Sequence, residues 1–90
     1  MIKIHADEDK KILTVTGHAG YAPKGEDIVC AGVSALVQTL GLYAAEHGGK
    51  VEIREGYAKI DAENGSADVF SAITAGLRKM SENYGGVWFS

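Results

Sequence analysis

Ile2 and Ile4 alternate with Lys3 and His5, the period of a strand that buries one face. "ADEDKK" is a polar turn, and "ILTVTG" is β-branched enough to be the returning strand. Residues 1–6 and 11–17 thus predict a hairpin. Gly17 to Gly25 then holds three glycines and the single proline, a loop that is long for so short a chain.

Beyond the loop the period becomes helical. Asp27 suits an N-cap, and apolar residues recur at Val29, Val33, Leu36, Val37, Leu40 and Tyr43 or Ala44. The far side is also nearly uncharged until Glu46, with Ala31, Gly32, Ser34 and Ala35. A helix polar on neither side is usually buried on both, which predicts one face on a sheet and another on a second helix or subunit. Gly48 and Gly49 close this helix. "KVEIREGYAKIDAENG" predicts two short strands around Glu55-Gly56. Ser66 suits the cap of a second helix, with apolar positions at Phe70, Ile73, Leu77, Met80 and Tyr84 and its end at Gly85. Val87 to Ser90 add a short edge strand. The order ββαββα(β) predicts an α+β fold, a sheet packed with two helices, rather than a parallel doubly wound one.

Composition narrows the function classes. Ninety residues predict a single domain, 1–90, and 46% hydrophobic with 23% charged residues is ordinary globular material. A net charge of −3 argues against a partner held mainly through phosphates, so no direct nucleic-acid contact is expected, while a basic peptide is compatible. One cysteine allows no internal disulfide. The N-terminus lacks the apolar core of a signal peptide, and no apolar run reaches membrane-spanning length free of polar residues. The expectation is a cytoplasmic domain without membrane contact.

The candidate chemistry centres on Cys30. A lone cysteine in a helix is usually inert filler. Three features point the other way. Cys30 lies one turn into its helix, where backbone N–H groups and the dipole favour a thiolate. The loop before it is glycine-rich, leaving room for a substrate backbone. His18 opens that loop directly after a strand and can fold back as a base. His5 reads as a solvent-side strand residue and His47 as a cap at a helix C-terminus. No CxxC, HxxxH or carboxylate cluster supports a metal, and neither a phosphate loop nor a G-x-S-x-G elbow is present. Asp27 would oppose a thiolate by repulsion, so capping, orienting His18 or meeting a cationic substrate are its open roles. Ser34, one turn after Cys30, reads either as a hydrogen-bonding neighbour of the site or as packing.

"GHAG", a glycine-bearing loop and "GEDIVCAGVSAL" resemble the signature of the bacterial ribosomal-processing cysteine protease family. Gly17, His18, Asp27, Ile28, Val29, Cys30, Ala31, Val33 and Ser34 match its pattern. Gly32 stands where alanine is common, and Gly85 where a proline often follows the position of Tyr84. The specific part of the resemblance covers residues 17 to 37.

The resemblance implies a cytoplasmic, homodimeric endopeptidase that needs no cofactor. Its substrate would be the N-terminal extension of a bacterial large-subunit ribosomal protein, number twenty-seven, cut after a phenylalanine in the course of ribosome assembly. Cys30 would be the nucleophile and His18 the general base. Asp27 and Ser34 would support them, with Gly17, Gly20 and Gly25 in a loop that closes on the peptide. The alternatives are a ribosome-associated module that binds this peptide without cutting it, and a thiol redox enzyme. The lack of a resolving cysteine disfavours the second.

Overall fold

In the computed structural model, residues 1–17 and 27–90 are described, apart from the side chain of Asp27. The strands are β1 (Ile2–Asp7), β2 (Ile12–Thr16), β3 (Lys50–Arg54), β4 (Tyr57–Asp61) and β5 (Val87–Phe89); the helices are α1 (Asp27–Glu46) and α2 (Ala67–Asn83). They form one five-stranded sheet in the order β3-β4-β2-β1-β5. All pairs are antiparallel except β1 with β5. This is the expected α+β arrangement of two helices on a sheet.

The alternation read from β1 sets which face is covered. Ile2, Ile4, Leu13, Val15, Ala58, Ile60 and Val87 are buried together with Val29, Val33, Val37, Leu40, Phe70, Ile73 and Leu77 from the helices. Their neighbours of opposite parity, Lys3, His5, Lys59 and Trp88, are exposed on the other face. Both helices therefore lie on one side, and the second side of the sheet is open. A one-residue slip would exchange the two sets, so burial fixes the register.

Local chemistry sets the ends. Lys11 takes a positive φ of 55° at the close of the first turn, and β2 accordingly starts at Ile12. Gly56, at φ 73°, turns the chain from β3 into β4. Ser66 caps α2, its Oγ accepting from the N–H groups of Asp68 and Val69 at 3.1 and 3.4 Å. Tyr84 falls outside α2 in extended conformation and is exposed, unlike the stripe it was grouped with. Asp27 is the first helical residue of α1, so the helix begins one position earlier than an N-cap at Asp27 predicts.

α1 is long and apolar enough to cross a membrane by length and composition. Packing accounts for part of that character, a third of the span being buried. Val29, Val33, Val37, Leu40 and Ala44 face the sheet, and Gly32 lies against Met80 of α2 while Gly76 of α2 lies against Leu36. A third face stays open: Ile28 is 69% and Leu42 70% exposed.

Candidate active site

Cys30 sits in the first turn of α1, whose leading N–H groups have no carbonyl within the helix to bond. The thiol is half-buried. It opens onto a groove of about 130 Å³ between α1 and the end of the sheet. One wall is α1 itself, through Val33, Ser34, Val37 and Gln38; the other is the β3–β4 hairpin, through Ile53, Arg54, Gly56 and Tyr57. Ile2, Val15, Gly17 and Ala58 complete its lining.

The 3.6-residue period explains the helical wall, because Cys30, Ser34 and Gln38 follow one another at i, i+4 and i+8. Gln38 Nε2 donates to Ser34 Oγ at 2.8 Å. That bond occupies an acceptor site on the hydroxyl and leaves its own hydrogen to donate elsewhere. At the same hairpin end, the Arg54 guanidinium lies 4.4 Å from the centre of the Tyr57 ring and pairs with Glu52 at 3.0 Å. Both members of that pair are exposed, which makes it a weak tie.

Gly17 has the most constrained backbone of the groove. Its φ is 99°, and a Cβ there would run into the main-chain carbonyl of Met1. Its N–H donates to the Gly56 carbonyl at 3.0 Å, joining the end of β2 to the β3–β4 turn. A side chain is excluded twice over.

Of the residues singled out in the sequence, the structure brings Cys30, Ser34 and Gly17 to one groove. His18, Gly20 and Gly25 lie outside the described residues, as does the side chain of Asp27. Gln38, Arg54, Gly56 and Tyr57 are groove residues that the sequence reading missed. Gln38 could have been found from its helical spacing; the hairpin carries no local signal of its own. The other histidines keep structural partners: His5 Nδ1 is 3.3 Å from Ser90 Oγ, and His47 stacks on Tyr43 and bonds its carbonyl. Among the described residues, no three His, Cys, Asp or Glu side chains group as a metal would need.

The family described as Cysteine protease Prp matches residues 1–87 of the chain. The ribosomal processing cysteine protease Prp of Mycoplasma genitalium is 34% identical over 91 residues, spanning 93% of this chain and 88% of that protein. Its Bacillus subtilis counterpart is 53% identical over 36 residues, 38% of this chain and 32% of the relative. Among solved structures, the ribosomal processing protease Prp of S. aureus in complex with a substrate peptide superposes with a TM-score of 0.78 at 21% identity, covering 100% of this chain and 98% of that one. The same protease with a covalently linked product peptide gives 0.71 at 20% identity, covering 99% and 97%.

Proposed function

The chain belongs to the Prp family of ribosomal processing cysteine proteases, and on that premise we propose that Cys30 and His18 form a catalytic dyad that cuts the N-terminal extension of large-subunit ribosomal protein twenty-seven after a phenylalanine, in ribosome assembly in the cytoplasm. The observation that carries the reading is the half-buried Cys30 thiol on the first turn of α1, opening onto a groove with apolar walls. Covalent geometry supports the partner. Gly17 lines the groove, and His18 is its direct neighbour in the chain, one Cα–Cα step of about 3.8 Å on.

The chemistry is acyl transfer. The Cys30 thiolate, its proton held by His18, attacks the scissile carbonyl carbon, and the C=O electron pair moves onto oxygen. Backbone N–H groups of the first turn of α1 stabilise that oxyanion. The intermediate collapses as the imidazolium of His18 protonates the leaving amine, leaving a thioester on Cys30. Water, deprotonated by His18, attacks the thioester; the carboxyl product leaves and the thiol is restored.

The groove also matches the substrate class. Val33, Val37 and Ile53 offer apolar wall to an aromatic side chain before the cut. The acidic pair Glu26-Asp27, with Asp27 opening α1, suits lysines after it. The same reading includes a homodimer, supported by the open apolar face of α1.

Mass spectrometry of an apolar peptide ending in Phe-Ala-x-Lys-Lys tests this directly. The wild type should cut between Phe and Ala, His18→Ala should be severely slowed, and Cys30→Ser should bind the peptide uncut. Equal binding without any cleavage by the wild type would favour the peptide-binding module. Cleavage by Cys30→Ser at the wild-type rate would remove the nucleophile.

A further inference from the structure

The helix-free face of the sheet orders its charges by rows. Residues paired in register share a row across the strands, and those of odd parity on β1 point away from the helices. Arg54 pairs with Tyr57, Tyr57 with Thr16, Thr16 with Lys3, and Lys3 with Trp88. One row thus crosses all five strands, about 19 Å at ~4.8 Å per strand, with Lys3, Arg54 and two aromatic rings; Glu52 of the next row pairs with Arg54 at 3.0 Å, which leaves Lys3 as the cation beside Trp88. The next row places Lys59 beside Glu52. Asp7, Asp61 and Lys50 lie in the third, at the far end. The carboxylates without a cationic row partner, Asp7 above all, thus lie at the end away from Lys3 and Trp88.

The row also carries shape. A groove of about 450 Å³ opens between Trp88 and the threonines Thr14 and Thr16, with Lys3 and His5 along it. Trp88 is 62% exposed, more than a core-forming indole would be. At the other end, the Arg54 guanidinium covers the Tyr57 ring.

We propose that this cross-strand row of Trp88, Lys3, Thr16, Tyr57 and Arg54 on the open sheet face binds single-stranded nucleic acid, with one base stacked on Trp88, a second on the Arg54–Tyr57 pair, and the phosphates between them held by Lys3. The two stacking positions lie about 14 Å apart, three strand spacings at ~4.8 Å each. Base stacking on sheet-borne aromatics and guanidinium planes is a general mode for single strands, and it tolerates sequence. Charge complementarity selects the occupant: an anionic chain with flat apolar groups fits Lys3 set between the exposed Trp88 ring and the Arg54–Tyr57 stack. An acidic peptide satisfies the cations but not the rings. The site lies on the face opposite the helices, and its argument does not depend on which peptide Cys30 cleaves.

Trp88 is the only tryptophan, so its fluorescence reports binding directly. Titration with a single-stranded hexauridylate or hexaadenylate at 50 mM salt should quench it saturably, with half-saturation at about 1–100 µM, as for sequence-independent contacts. Log affinity should fall with log salt at a slope of about −1.4 to −2, the response to two or three phosphates on a single strand. Lys3→Gln should flatten that slope by about 0.7 without changing peptide cleavage. Trp88→Leu, followed by anisotropy of a labelled oligonucleotide, should weaken binding about fivefold or more at unchanged slope, and Trp88→Tyr should retain most of it. Circular dichroism separates lost binding from lost fold. Absence of quenching at millimolar oligonucleotide overturns the proposal. So does hexaglutamate binding as tightly and indifferently to Trp88→Leu, or Trp88→Leu converting a dimer into monomers, which would make this face a contact between copies.

Discussion

Gly17 donates its backbone N–H to the carbonyl of Gly56 across 3.0 Å, tying the end of β2 to the β3–β4 turn at the rim of the Cys30 groove. The bond depends on a φ of 99° that L side chains rarely adopt, and on the space a Cβ would take from the Met1 carbonyl. Gly17→Ala should therefore cost about 2 kcal/mol or more, combining backbone strain with the clash. Urea unfolding measures it, and a loss below about 0.5 kcal/mol would mean that the backbone relaxes freely there.

Gly32 presents the opposite case. A Cβ at this position would meet the terminal methyl of Met80 at 2.8 Å, but nothing of the backbone outside its own helix. Met80 is flexible and partly buried, so it can swing aside at little cost. Replacing a mid-helix glycine by alanine contributes about 0.8–1 kcal/mol of propensity. Gly32→Ala should thus be neutral or stabilising by up to about 1 kcal/mol in thermal unfolding, and a loss above 1 kcal/mol would show Met80 to be fixed.

The contrast between these glycines shows what the sequence made legible. Alternation at Ile2 and Ile4, the cap at Ser66 and the stripe from Val29 to Ala44 each depend on neighbours within a few residues, so the fold could be read from them. The helical side of the groove, Cys30 with Ser34, was legible for the same reason. The facing wall was not. Arg54, Gly56 and Tyr57 line the groove only because the β3–β4 hairpin packs beside α1, a tertiary relation that no local sequence period announces. Tyr84 misled because its helical spacing continues past Asn83, while its backbone has already turned extended.

Ser34 and Gln38 should act as a unit. Gln38 orients the Ser34 hydroxyl on the Cys30 side of α1, and both side chains line the groove. Their hydrogen bond is solvent-accessible, so Gln38→Ala should cost less than about 1 kcal/mol of stability. In kcat/KM the effects should not add. If Ser34 works through the orientation that Gln38 imposes, the double variant loses no more than Ser34→Ala alone. Additive losses in the four-member cycle would separate the two roles.

The open face of α1 leads to the last expectation, that two chains pack through it. Ile28, Ala31, Ala35 and Leu42 lie along one exposed helical stripe, and Ile28 and Leu42 are each about 70% exposed. The alanines between them would let a second helix approach to about 8 Å. A two-fold axis would set this stripe against its own copy, so a single substitution acts twice in the interface. Leu42→Glu places two carboxylates near that axis and removes two apolar anchors. In a monomer the same change is an exposed surface substitution, worth about ±0.5 kcal/mol. Sedimentation at micromolar concentration should therefore show a wild-type dimer and a Leu42→Glu monomer. Unfolding of the wild type should depend on protein concentration, while that of the variant should not. A wild type that sediments as a monomer, or a variant that remains a dimer, would place the contact between copies elsewhere or nowhere on α1.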